Sequence, residues 1–206
     1  RTAYFIANPH WTNNAHKAIQ HAIGFTRTYG ERGDHEIFRF ALNTIIQINK
    51  SYVNAKGKTF FASSPLVENP YSTDGLINDT LEHLRQNMQK SVTRRDEQQI
   101  EEILRTIAEL VRVYAEIDYS NDYESNTHAH LAASYLSSAI LLVAPHNMAD
   151  VMMEGIRLLG QTAQLFISKG DLNNIVTLVD EIGVVACTGV AIENYRPVTQ
   201  KGVEQI

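Results

Sequence analysis

The stretch MADVMMEGIRLLGQTAQLFISKGDLNNIVTLVDEIGVVACTGVAIENY, residues 148–195, decides the fold. It carries two apolar stripes at helical spacing, separated by Lys169-Gly170-Asp171. In the first, Leu159-Gly160 leads to Ala163; in the second, Ile182-Gly183 leads to Ala186. The two glycines stand 183 − 160 = 23 residues apart, and 23 residues earlier Leu136-Ser137 leads to Ile140. Three consecutive helices therefore share one template, in which a small residue set into an apolar stripe lets a neighbouring backbone approach. Ser137, Gly160 and Gly183 are expected at such contacts.

Working outward, the helix before this stretch runs from Thr127 to Ala144 and stops at Pro145. The next starts at an Asn147 cap and ends at Lys169-Gly170, and the last runs from Asp171 to near Asn194, before Pro197. The last helix is apolar nearly all round between Ile182 and Ile192, which predicts that it is the most buried and that Cys187 is a buried hydrophobe.

Upstream, residues 1–13 read as an extended or helix-ending segment broken by Pro9 and packed by Tyr4, Phe5 and Trp11. A first helix follows from Asn14, with the stripe Ala18, Ile19, Ala22, Ile23 and Phe25 and a stop at Gly30 and Gly33. Asp34 caps a second, whose stripe runs Ile37, Phe38, Ala41, Leu42, Ile45, Ile46, Ile48 and Tyr52. Gly57, Ser63, Ser64, Pro65, Pro70 and Ser72 then predict a long loop over 54–73. A third helix runs from a Ser72-Thr73-Asp74 cap to about Thr93, with Leu76, Ile77, Leu81, Leu84 and Met88 on one face. A fourth begins at Asp96-Glu97 and carries Ile100, Ile103, Leu104, Ile107, Leu110, Val111 and Tyr114, with Glu101 and Arg105 as an outer i,i+4 pair.

The fold class is all-α, with about seven amphipathic helices; short connections make sequential neighbours antiparallel. The chain is read as one helical domain over 1–206, with 1–117 and 127–195 as candidate halves. The template Leu136-Ser137-Ile140, Leu159-Gly160-Ala163 and Ile182-Gly183-Ala186, echoed at Ile107-Ala108-Val111, resembles the helical-repeat families of HEAT and tetratricopeptide type. The resemblance covers residues 127–195 and implies stacked helices with one continuous core. The 23-residue period spans one helix, whereas those families repeat every ~34–45 residues, and the tetratricopeptide Trp, Tyr and Pro positions are absent. A helical-repeat array and a closed bundle both fit the pattern.

At 206 residues with 44% hydrophobic and 20% charged residues, the chain has the makings of a folded domain with its own core. One cysteine allows no internal disulfide and points to a cytoplasmic setting. No stretch reaches the ~18 apolar residues of a membrane span. Because the chain opens at Arg1, it is read as a portion of a longer protein, with flanking membrane helices one option. Charge is uneven: residues 1–95 hold 12 Lys+Arg against 7 Asp+Glu, a net of +5, and 96–206 hold 6 against 16, a net of −10. Opposite ends of opposite sign suit a charged partner or head-to-tail stacking.

No pattern in the chain spells out a chemistry. Gly57-Lys58-Thr59 has the tail of a phosphate-binding loop, but Tyr52 stands where the motif needs glycine. Asp118, Ser120, Asp122 and Glu124 alternate like calcium ligands, yet Tyr123 and Ala129 occupy the obligatory Gly and Glu positions. Asp122, Glu124, His128 and His130 are candidate transition-metal ligands. Against them, two helical residues two apart point about 200° apart. Lys56, Lys58, Phe60, Phe61 and Tyr71, in or beside the long loop, are candidate partner-binding residues. The basic-aromatic cluster there can in principle hold phosphates or single strands, but the net charge of −5 sets no expectation of nucleic acid.

The leading expectation is therefore a non-catalytic interaction or regulatory helical domain, a scaffold with no cofactor, binding a protein partner or another copy of itself. The alternative is an enzyme or small-ligand domain with a site near Asp122, Glu124, His128 and His130.

Overall fold

The computed structural model describes residues 9–60, 73–118 and 127–191. Among these residues the chain forms seven α-helices and one short 3-10 turn: α1 (Pro9–Arg32), α2 (His35–Phe60), α3 (Thr73–Arg94), α4 (Glu97–Asp118), α5 (Thr127–Val143), the turn Ala144–His146, α6 (Ala149–Lys169) and α7 (Leu172–Ala191).

Three of the connections are two residues long, and each is built the same way. A residue in the left-handed region ends one helix and an aspartate starts the next. Gly33 at φ 72° precedes Asp34, Arg95 at φ 56° precedes Asp96, and Gly170 at φ 71° precedes Asp171. The amides of Ile37, Gln99 and Asn174 donate to the Asp34, Asp96 and Asp171 carboxylates at 3.2, 3.1 and 3.2 Å. Gly170 N and Asp171 N donate back to Ile167 O and Phe166 O, each at 3.0 Å, so the last carbonyls of α6 are satisfied. Joints this short reverse the chain and lay α1 against α2, α3 against α4, and α6 against α7.

The packing pairs form two layers. In one, α1, α3, α5 and α7 lie side by side in that order; in the other, α2, α4 and α6 do the same. Among the described residues, none of the main packing pairs joins α1 or α2 to α6 or α7. The arrangement has two ends, one made by α1 and α2 and the other by α6 and α7.

Central to both layers is α4, which packs on α2, α3, α5 and α6. Its predicted stripe, Ile100, Ile103, Leu104, Ile107, Leu110, Val111 and Tyr114, is wholly removed from solvent. Buried apolar residues form one contiguous cluster from Ala15 in α1 to Val185 in α7. Leu136, Leu159 and Ile182, the 23-residue template, all lie in it.

Several expectations are corrected. Pro9 opens α1, where its fixed φ suits a first helical position and its missing N–H costs nothing. α2 continues through Gly57 to Phe60, so the loop expected at 54–73 gives way to helix over its first seven residues. Residues 61–72, and Tyr4 and Phe5, lie outside the described residues, and Thr73 opens α3. Met148 caps α6; Asn147 instead takes φ 60° after the turn. Phe25 and Ile37, assigned to inner stripes, are exposed.

α7 is not the most buried helix. It packs on α5 and α6, with Asn174, Leu178, Ile182, Val185 and Ala186 turned inward and Leu172, Val176, Val184 and Cys187 exposed. Continuous apolarity reads as burial on every side, whereas among the described residues α7 has its main neighbours on one side.

The close-approach glycines also differ from those expected. A Cβ at Gly183 would meet nothing within 4 Å, while one at Gly155 would stand 2.5 Å from Ile140 Cγ1. Gly30 lies inside α1, where a Cβ would meet the Phe38 ring at 3.1 Å; Gly33 alone supplies the stop. Gly160, by contrast, is buried as expected.

A pair of substitutions separates these roles. Gly155→Ala drives a methyl into a branched side chain and costs about 1–3 kcal/mol of overpacking strain. Gly183→Ala meets open space and gains up to about 1 kcal/mol of helix propensity. Thermal unfolding followed by circular dichroism is expected to show Tm falling for the first and holding or rising for the second. A fall for Gly183→Ala of the same size would contradict the packing of α7.

Candidate interaction surface

Several buried polar groups hold neighbouring helices in register. Between α1 and α3, His83 Nε2 lies 2.9 Å from Thr26 Oγ1 and 2.9 Å from Asn87 Nδ2, and Asn87 donates to Thr26 Oγ1 at 3.1 Å. Between α2 and α4, Tyr114 Oη donates to Asn49 Oδ1 at 2.8 Å, and burial pushes the Tyr114 phenol far up. Gln99 Nε2 donates to Gly30 O at 2.9 Å while its Oε1 accepts from Ser91 and Arg94. At the seam of α4 and α6, Glu154 accepts from Arg157 at 2.6 and 2.8 Å and from Arg105 at 3.0 Å. Those guanidiniums, Arg157 foremost, hold its carboxyl down at about 2. The predicted Glu101–Arg105 pair forms at 2.9 Å. These are structural assignments for buried polar residues, which must be hydrogen-bonded to be tolerated.

The candidate metal ligands do not converge where they are described. His128 packs its ring edge-on to Tyr114 of α4, with centroids 6.5 Å apart. His130 lies near Glu181 of α7, which accepts from Ser134 at 2.8 Å and whose carboxyl is raised by burial. The two histidines thus address different neighbours of α5, as a two-residue helical offset requires. Asp122 and Glu124 lie outside the described residues. Among the described residues no three His, Cys, Asp or Glu side chains are grouped to hold a metal. Of the candidate partner-binding residues, Lys56, Lys58 and Phe60 fall in the last turns of α2, their side chains outside the description. Phe61 and Tyr71 lie outside the described residues altogether.

A shallow depression of about 160 Å³ lies between α4 and α6, lined by Arg105, Ala108, Glu109, Arg112, Leu158, Gln161 and Thr162. It is well below the ~300–1,000 Å³ of a small-molecule site. Arg105 and Arg112 are already paired, with Glu101, Glu154 and Glu109.

The surface offers more. The described large apolar side chains that are strongly exposed are Phe25, Ile37, Phe40, Ile167, Leu172, Val176 and Val184. Every one belongs to α1, α2, α6 or α7, the helices of the two ends; α3, α4 and α5 contribute none. On α7, Leu172 (73% exposed) and Val176 (63%) continue through Asp180 to Val184 and Cys187 along the side opposite its packing face. At the other end, Phe25 stacks on Tyr29 at 5.9 Å, Arg32 lies over the Tyr29 ring at 5.6 Å, and Phe40 is 72% exposed.

Direction follows from the ion pairs. On α1, Glu31 binds Lys90 of α3 at 2.9 Å, and Phe25 stands about 120° around the helix from Glu31 at 3.6 residues per turn. On α2, Arg39 binds Glu102 of α4 at 2.7 Å, and Phe40 is the next residue, about 100° around from it. Both aromatic side chains therefore stand off the helix flanks that meet the inner neighbours. Sequence reasoning assigned Phe25 to the core and left α7's outer stripe unseen. The signal available was the excess of apolar positions over one stripe's width in these helices.

No family model matches the chain, and no curated protein is similar to it in sequence. Among solved structures, a chain described as "DHF46 filament" superposes with a TM-score of 0.64 at 13% identity, over 94% of this chain and 94% of that one. At that identity the likeness shows the helical fold alone. Among the described residues no helix is long and apolar enough to cross a membrane.

His83 gives the fold a pH dependence with a definite sign. Burial first, then Arg27 and Lys90, lowers its pKa from 6.5 to about 4, so the folded state holds the ring neutral. Below pH 6.5 the unfolded chain takes up a proton that the folded chain refuses, so stability falls from pH 6.5 down to about 4 and this contribution then levels off. The full loss is at most about 3 kcal/mol. Urea unfolding across this range is expected to show the decline in the wild type and a flatter profile in His83→Gln; equal slopes would refute the assignment.

Proposed function

We propose that this chain is a helical-repeat-like, non-catalytic interaction module, a scaffold or regulatory domain that engages another polypeptide through the apolar faces of its terminal helices. The observation that carries this reading is the confinement of strongly exposed large apolar residues to α1, α2, α6 and α7. Large apolar residues gathered on particular exposed faces, instead of scattered singly over the surface, are the pattern of a binding site. The interior supports the same reading, because its largest buried polar clusters join one helix to another and the depression between α4 and α6 is too small for a metabolite. Likeness in fold to a protein described as a filament is compatible with polypeptide association as the working mode. An operating site in the cytoplasm, within a longer protein, remains part of the proposal.

The test is crosslinking in native cells, comparing the wild type with a Leu172→Glu, Val176→Glu double variant whose folding is verified by circular dichroism. Loss of crosslinked partner peptides by about tenfold or more is expected when a central apolar contact is replaced by charge. The competing small-ligand reading predicts unchanged crosslinks and a rise in Tm on adding a metal ion or metabolite, since a ligand that binds only the folded state stabilises it. That outcome would overturn the proposal.

A further inference from the structure

We infer that the occupant of both end faces is a second copy of this chain, stacked head to tail, with the α6–α7 end of one molecule seated on the α1–α2 end of the next. This rests on the reading of the terminal faces as interaction surfaces and adds the identity of the partner.

Three observations carry it. The first is geometric: α7 extends the order α1, α3, α5, and a further helix pair placed beyond α7 would continue both layers as α1 and α2 begin them. The outer side of α7 is apolar at Leu172, Val176 and Val184, and Ile167 near the end of α6 adds to it. Phe25, Ile37 and Phe40 supply apolar surface at the opposite end. The interior helices need no such residues, because their flanks are covered within the molecule.

The second is electrostatic. Residues 9–60, spanning α1 and α2, hold seven Lys+Arg against three Asp+Glu, a net of +4. Residues 149–191, spanning α6 and α7, hold two against five, a net of −3. Asp180 sits among the exposed apolar residues of α7, and Arg32 beside Phe25 and Tyr29 on α1. A copy that meets its neighbour like end to like end brings equal charges together; opposite ends attract, and this selects the polarity of stacking.

The third is that the two end faces differ in composition. One is aromatic, with Phe25, Tyr29 and Phe40, and the other is aliphatic, with Ile167, Leu172, Val176 and Val184. Two unlike faces on one molecule make a heterologous contact, which leaves a free face on each side of a dimer and so grows past it, into an open stack or a closed ring.

Complementary blocking separates this from every other occupant. Phe40→Glu disables the α1–α2 end and leaves the α6–α7 end intact; Val176→Glu does the reverse. Both positions are exposed, so circular dichroism is expected to match the wild type. In sedimentation velocity the wild type is expected to form species beyond the dimer as concentration rises. Each variant alone is expected to remain monomeric, and an equimolar mixture to form a one-to-one dimer that grows no further. Self-association of Phe40→Glu alone would show a like-to-like α7 contact and overturn the proposal. A wild type that stays monomeric, but assembles when truncated after Ala191, would show residues 192–206 of the same chain covering the face and would also overturn it. A wild type monomeric in both forms, whose Leu172→Glu, Val176→Glu variant still loses crosslinked partners, would sink head-to-tail stacking and leave the interaction-module reading standing.

Discussion

The structure depends on the burial of one stripe of α4. Ile100, Ile103, Leu104, Ile107, Leu110, Val111 and Tyr114 are all removed from solvent, and four other helices do the covering. At ~1.5–3 kcal/mol for each large apolar side chain fully buried, this stripe contributes on the order of 10 kcal/mol or more, comparable to the net stability of a whole domain. Of the other helices, only α5 meets as many partners, and α4 is one of them. Each helix that meets α4 is positioned by it, and α1 and α7 are positioned by those helices in turn.

Apolar burial fixes distance but not rotation or sliding, and here the polar contacts decide those. The Tyr114–Asn49 bond sets α2 against α4, the Thr26–His83–Asn87 cluster sets α1 against α3, and Gln99 ties the start of α4 to the end of α1 through Gly30 O. Each group is satisfied only at one register, and a slip of one turn would leave a buried donor or acceptor unpaired at ~1–3 kcal/mol. Glu154 performs the same service at the edge of the core, bridging α6 to α4 through Arg105.

Much of this was legible in the sequence. Periodicity located seven helices, and the aspartates Asp34, Asp96 and Asp171 marked the starts of α2, α4 and α7 because a capping carboxylate has a local cause. What escaped is non-local. Gly155 and Gly183 look alike as letters in apolar helices, yet one faces Ile140 and the other faces space; only the neighbour distinguishes them. Likewise, an apolar position on α4 and one on α7 carry the same hydropathy, and the difference lies in how many helices surround each. His83, Asn87 and Gln99 were passed over because a polar letter in a helix reads as surface until its partner, 57 to 69 residues away, is in view. The candidate surface became visible only when exposure was mapped onto the order of helices.

The one-sided packing of α7 carries a dynamic consequence. In an array where each helix is supported chiefly by its flanking neighbours, free energies of local opening grade from the interior to the ends. Among the described residues α7 has only α5 and α6 as main packing neighbours, so its opening leaves the main packing pairs of α4 in place. Its amides should exchange with solvent first and those of α4 last. The helix that presents the broadest apolar stripe is thus also the one best able to adjust its angle to whatever lands on it.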